Sequence, residues 1–302
     1  MHHLIVILIT IAFALSACGR QTASDSGITA PVILTSTTFL ADIARNVAGD
    51  RVTVESLLTA GADPHDYQAV PSDVQKITTS TALIINGLDY DQFIQPLLEN
   101  ASGTRLVITA SDGLEARQMQ EETGETVTDP HMWMAPTRVI NYVENIRVGL
   151  TEADPGGADI YQANADTYIS QLQELDTWIK EQVAQIPQER RLLVTNHDSL
   201  GYFAEQYGFT VIGTIIPGVS SEAAPSAQQI AKLIDEIRST GAPAVFLNIS
   251  DNPHLADQIA VETNIVVVTD LYIETLSPSD GPAATYIDMM KYNVSQIVNA
   301  LK

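Results

Sequence analysis

The chain has 302 residues, 45% hydrophobic and 17% charged, which is enough for about two domains with packed cores. Its 37 acidic residues against 15 basic ones give a net charge of −22, which excludes nucleic acid and anionic lipid surfaces as partners, since both call for clustered Lys and Arg. Cys18 is the single cysteine, so no intramolecular disulfide staples the fold.

Leu4 to Leu15 is almost continuously apolar. About 12 residues are too few for the ~20 of a spanning helix, but they fit the apolar core of a secretory signal. The run ends in Leu15-Ser16-Ala17-Cys18-Gly19, which resembles a bacterial lipobox. That resemblance implies a signal peptide over 1–17 and a lipid on Cys18. Met1-His2-His3 departs from the pattern, because no Lys or Arg precedes the apolar run. Small polar residues follow Cys18, and 18–30 reads as a flexible tether.

From Pro31 onward, short β-branched runs alternate with helical patterns. The expected strands are Val32–Ser36, Val52–Leu57, Ala82–Asn86 and Arg105–Thr109, then Leu192–Asn196, Thr210–Ile215, Ala244–Asn248 and Asn264–Thr269. They are apolar on both faces, as buried parallel strands are. Helical stretches lie at Phe39–Val47, Tyr90–Asn100, Pro136–Leu150, Ser226–Ser239 and Asp257–Thr263. The alternation predicts an α/β fold with parallel sheets and right-handed crossovers.

One long helical pattern separates the two groups of four strands. Ile160, Ala163, Ala165, Tyr168, Leu172, Leu175, Trp178, Ile179, Val183 and Ile186 recur at roughly helical spacing. Asp154-Pro155 opens it as cap and first-turn proline, and Pro187 closes it. About 30 residues at 1.5 Å each reach about 45 Å, the length of a strut. The expected layout is an N-terminal lobe over 31–153, a linking helix over 154–187 and a C-terminal lobe over 188–302.

Six histidines remain to be placed. His2 and His3 leave with the signal, and His254 reads as a surface residue at a helix start. His65 sits in Gly61-Ala62-Asp63-Pro64-His65-Asp66-Tyr67, a turn after the second strand. His131 sits in Asp129-Pro130-His131-Met132-Trp133. His197 directly follows the strand ending at Asn196. Ligands of open parallel sheets bind at the carboxyl ends of strands, which is where His197 falls. The flanking acids are candidates to fix the imidazole tautomers, and the prolines stiffen the loops.

These motifs, with Thr195-Asn196-His197-Asp198-Ser199-Leu200-Gly201-Tyr202-Phe203, Ile215-Ile216-Pro217-Gly218 and Thr285-Tyr286-Ile287-Asp288-Met289-Met290, resemble the cluster 9 (cluster A-I) substrate-binding lipoproteins of bacterial ABC importers for zinc and manganese. The resemblance covers nearly the whole mature chain. It implies two (β/α)4-type lobes joined by one long rigid helix, with the metal between them. It also implies that His65, His131 and His197 are ligands. The family's usual fourth ligand is an aspartate, and counting back from Tyr286 places Glu274 there, with Asp280 as the alternative and a solvated loop acid as the bland reading. Asp63, Asp66, Asp129 and Asp198 are at hand to balance the ion's charge.

Three imidazoles and a carboxylate make an N₃O donor set, which suits Zn²⁺, while Mn²⁺ prefers more oxygen. By resemblance, many manganese members carry a glutamate where this chain has His197, which favours zinc. Zinc members often carry a histidine-rich loop before the second ligand. Here Leu114–Thr128 holds Glu115, Glu121, Glu122 and Glu125 and no histidine, and reads as a solvated insertion. The expected function is capture of Zn²⁺, or alternatively Mn²⁺, outside the cytoplasm and delivery to an ABC permease by a lipid-anchored monomer. A zinc hydrolase is the competing reading, though no His-Glu-x-x-His is present. A surface adhesin is another, with no feature that names a host partner.

Overall fold

The computed structural model describes residues 31–302 apart from 121–123, 125 and 222. The expected signal peptide, Cys18, the tether, and Glu121, Glu122 and Glu125 lie outside the described residues.

The eight apolar runs form two separate parallel sheets. In the first, β1 (Val32–Thr35), β2 (Thr53–Ser56), β3 (Ala82–Ile85) and β4 (Leu106–Thr109) lie in the order β2-β1-β3-β4. A small antiparallel pair follows, β5 (Gln118–Gln120) with β6 (Thr126–Thr128). In the second sheet, β7 (Leu192–Thr195), β8 (Thr210–Thr214), β9 (Ala244–Asn248) and β10 (Val266–Leu271) lie in the order β10-β9-β7-β8. Counted within each group, both sheets run second, first, third, fourth, so the lobes share one topology although their sequences show no repeat.

The helices are α1 (Thr38–Ala48), α2 (Pro71–Thr79), α3 (Ile94–Asn100), α4 (Pro136–Ala153), α5 (Ala158–Val183), α6 (Gly201–Tyr207), α7 (Ala227–Thr240), α8 (His254–Thr263) and α9 (Tyr286–Leu301). The sequence pattern passes over α2, which has only Val74 and Ile77 as apolar residues; its start is marked by Pro71 and by Asp73, which accepts from the Val70 N–H. α3 starts four residues later than expected, because Gly87, Leu88 and Asp89 all take positive φ and hold the chain in a tight turn. β10 starts two residues late because Asn264, in the left-handed region, caps α8. The insertion before His131 is a hairpin in part, with β5 and β6 as its arms.

Asp154-Pro155 opens a single 3-10 turn, and α5 follows it for 26 residues, or roughly 39 Å. The Arg51 guanidinium grips Asp154 with two bonds of 2.7 and 3.0 Å, and Tyr161 donates to the same carboxylate. The buried face of α5 is Tyr161, Ala165, Tyr168, Leu172, Leu175, Ile179 and Val183, spaced by three or four residues. Ile160 and Ala163 lie on the exposed side, a correction to the apolar list from spacing alone. α5 packs on α1, α4 and α9, and a single apolar cluster runs from Ile33 through α5 to Leu301. The two sheets are therefore carried on one shared core.

Candidate metal centre

His65 follows β2, His131 follows β4 and its hairpin, His197 follows β7, and Glu274 follows β10. Each sheet thus sends two side chains from its carboxyl end, where parallel sheets place their ligands. One ligand atom from each of the four lies within 4.8 Å of all the others. The Nε2 atoms of His65, His131 and His197 stand 3.1, 3.5 and 3.0 Å from a single oxygen, Glu274 Oε1. His131, His197 and Glu274 are at most 1% exposed, while the His65 side chain is 10% exposed. A cleft of about 560 Å³ runs past His65, Tyr67 and Tyr90, so the centre is approached from the His65 side.

His197 Nδ1 and Glu274 Oε2 are buried without a hydrogen-bond partner among the described residues, and His131 Nε2 and His197 Nε2 meet only the crowded Glu274 Oε1, outside hydrogen-bond geometry. Buried polar atoms in that state are costly. A divalent cation among three imidazole nitrogens and a carboxylate oxygen relieves that cost, and the donor set matches what such an ion takes. Burial pushes the Glu274 carboxyl up, but the facing His197, His131 and His65 outweigh it and hold the group well below the usual range. It is an anion, as a metal ligand must be.

The two Asp-Pro-His motifs build the same turn. Asp63 Oδ1 accepts from the His65 N–H at 2.9 Å, and Asp129 Oδ1 accepts from the His131 N–H at 2.9 Å. In each, the carboxylate two residues upstream fixes the histidine's backbone. Asn252-Pro253-His254 repeats this turn on the surface, with His254 exposed and outside the cluster. The motif makes a turn, and only its place in the fold brings the histidine into the cluster. His197 depends on a different device, since Thr195 Oγ1 donates to the His197 carbonyl at 2.7 Å. Thr35 makes the same bond to Thr37 at the end of β1, so His197 stands where the first lobe has a threonine.

Behind the cluster lies a layer in which Asp129 takes the part expected of an acid flanking a histidine, while Arg117, Asn86 and Asn248 carry parts that the sequence reading missed. His131 Nδ1 pairs with Asp129 Oδ1 at 2.9 Å, and Arg117 Nη1 donates to Asp129 Oδ2 at 2.6 Å. Burial raises the Asp129 carboxyl, but its bonds to His131 and Arg117 win and lower it. The carboxylate therefore leaves Nε2 of His131 as the nitrogen that faces the cluster. Arg117 crosses directly over Gly201, where an added Cβ would overlap its guanidinium. Asn86 and Asn248 play matching parts. Asn86 Nδ2 donates to the Pro130 carbonyl at 3.1 Å, just before His131. Asn248 Oδ1 accepts from the Ile273 N–H at 2.9 Å, just before Glu274. The available signal was an asparagine closing each third strand, in Ile84-Ile85-Asn86 and Phe246-Leu247-Asn248.

The Glu274 loop also joins the lobes. Trp133 Nε1 donates to the Ile273 carbonyl at 2.7 Å, Gly61 N to Thr275 Oγ1 at 2.9 Å, and Leu276 N to Thr38 Oγ1 at 2.8 Å. Asp280 is exposed and outside the cluster, as is Asp66. Asp63, held by Ser221 at 2.8 Å, and Asp198 are both more deeply placed, and burial raises both carboxyls.

Residues 33–300 match the family described as zinc-uptake complex component A, periplasmic. The chain belongs to that family. It is 35% identical to a manganese-binding lipoprotein of Halalkalibacterium halodurans over 296 residues, 98% of this chain and 97% of that protein. It is 34% identical to an iron-binding protein of Yersinia pestis over 268 residues, 88% of this chain and 84% of that one. Among solved structures, it superposes on a manganese-bound periplasmic metal-binding protein of Candidatus Liberibacter asiaticus with a TM-score of 0.79 and 32% identity, covering 90% of this chain and all of the other. Members of the family are metal-binding components of ABC importers and not enzymes, so this chain is an extracytoplasmic metal-binding component of such an importer. Among the described residues no helix is long and apolar enough to cross a membrane.

Proposed function

We propose that this protein captures Zn²⁺ with His65, His131, His197 and Glu274 and delivers it to a membrane permease, as a monomer anchored through a lipid on Cys18. The observation that carries the reading is the convergence of four buried ligand atoms within 4.8 Å, two from each sheet. In this reading 31–153 and 188–302 are lobes that each supply two ligands across the linking segment 154–187. Three imidazoles and one carboxylate favour zinc, the ion that takes four ligands and accepts nitrogen readily. With Glu274 ionised, the loaded centre carries one net positive charge, which Asp63, Asp129 and Asp198 offset from behind.

A second reading, Mn²⁺ as cargo, is supported by Glu274 Oε2. It is buried and without a hydrogen-bond partner, and so is free to add a second oxygen to the donor set, which manganese favours. The manganese-binding relative named above points the same way. Competition titrations of the metal-free protein against a chromophoric chelator test both readings. One tight site that prefers zinc, weakened at least about 100-fold in His131→Ala and His197→Ala, is the expected result. Tight manganese binding with little zinc preference would move the cargo to manganese. Absence of stoichiometric binding of either ion would overturn the proposal.

A further inference from the structure

Tyr90 stands at the metal centre without belonging to the ligand set. Its ring lies 5.4 Å from that of His65 and 6.1 Å from that of His131, centroid to centroid, with Trp133 behind it at 4.7 Å. It is 3% exposed, and its hydroxyl is buried without a hydrogen-bond partner among the described residues. The turn that delivers it is a costly one. Gly87, Leu88 and Asp89 take φ of 87°, 57° and 60°, and the two side-chain-bearing residues are strained there. Asp91 pins the turn by accepting from the Gly87 N–H at 2.7 Å. Strain of this kind at a site edge marks a position that must be held.

The centre contains a second orphan of opposite character. Glu274 Oε1 faces the three imidazoles, while Oε2 is buried with no donor. The Tyr90 ring packs against His65 and His131, the two imidazoles whose Nε2 atoms lie 3.1 and 3.5 Å from Glu274 Oε1, so the buried hydroxyl and the carboxylate flank the same pair of rings. A tyrosine hydroxyl carries its proton at neutral pH and is a donor. A donor and an acceptor buried at one centre each carry a desolvation penalty that a bond between them removes.

We infer that, once an ion is bound, the Tyr90 hydroxyl donates a hydrogen bond to Glu274 Oε2, holds the carboxylate to one-oxygen coordination, and so sets the preference for a four-coordinate ion over one that needs more oxygen. This makes Tyr90 a specificity-determining residue, and the inference rests on the ligand set proposed above. Without the hydroxyl, Oε2 is free to swing onto the ion and make the set N₃O₂, which suits manganese better.

The test is Co²⁺ titration of wild type and Tyr90→Phe, read by visible absorption, with zinc–manganese competition on the same proteins. Wild type should give the strong band of four-coordinate Co²⁺, and Tyr90→Phe the weaker band of a five-coordinate ion. The zinc-over-manganese ratio should fall about tenfold, the worth of one hydrogen bond to a charged group. The metal-free melting temperature of the variant should equal or exceed that of wild type, because an unpaired buried hydroxyl has been removed. A merely structural tyrosine would lower it and leave the spectrum unchanged. Matching spectra and ratios in the two proteins would overturn the role of Tyr90 and leave the ligand set standing. No stoichiometric Co²⁺ uptake by wild type would overturn the ligand set, and the inference with it. A zinc-loaded crystal structure decides independently of how the variant folds. Tyr90 Oη within about 3 Å of Glu274 Oε2 supports the inference, and a separation beyond about 3.5 Å overturns it.

Discussion

At His131 the groups that prepare the ring for a metal also hold a proton on it. Burial alone would lower its pKa, but the bond to Asp129 and the facing Glu274 carboxylate win and raise it from 6.5 to about 9. A folded value above the unfolded one stabilises the metal-free protein fully below pH 6.5, and that stabilisation is lost as pH rises through about 9. An incoming ion must displace this proton. Affinity should therefore climb with pH up to about 9, and loading at neutral pH should release about one proton from His131. Calorimetry in buffers of different ionisation enthalpy measures that number, and a release near zero would contradict the protonated ring. Asp129→Asn removes the charge that orients the ring and sets a donor in place of one of the two oxygens that serve His131 and Arg117. It should weaken metal binding about 10–100-fold without unfolding the protein, as read by chelator competition and circular dichroism.

Between β10 and α9, the chain that carries Glu274 has no regular structure, so side chains must fix it. Asn248 and Trp133 hold the Ile273 peptide from both ends, and Asn293 holds both backbone groups of Tyr272. Asn248→Ala leaves a buried N–H unpaired, at a cost of about 1–3 kcal/mol. The melting temperature should fall with or without metal. Affinity should fall as well, since Glu274 loses its fixed backbone. A variant that loses stability but binds zinc as wild type does would show that the loop's other bonds, from Trp133, Asn293, Gly61 and Thr38, position it without Asn248.

Across the whole molecule, the lobes are bound to each other by more than the linking helix. One apolar cluster passes through both, and Trp133, Gly61, Thr38 and Ser221 bond across the centre. Wide hinge closure would have to break these contacts at once. Loading should therefore leave the radius of gyration unchanged in small-angle scattering, with rearrangement confined to the loops around His65 and Glu274. A clear compaction on adding zinc would instead show rigid-body closure about α5. The net charge of −22 contributes at this scale too, by raising the local concentration of cations around the protein.

Local chemistry announces itself in the chain. Apolar runs of strand length, a helical period bounded by prolines, and Asp-Pro-His turns all follow from interactions within a few residues, so the α/β class, the eight main strands, the long helix and the three histidines were legible. Glu274 was reached only by the family resemblance, since an isolated glutamate in a loop carries no pattern. α2 and the β5–β6 pair were missed because few of their residues are apolar. The equal strand order of the two sheets, and the parts played by Arg117, Gly201, Asn86 and Asn248, were decided by tertiary structure alone. So was the placing of Glu274 in the cluster with Asp280 outside it, and of His131 in it with His254 outside, although those two histidines share the same local turn. These are questions of which distant segments meet and which side chains are shut away from water, and no local spacing encodes them.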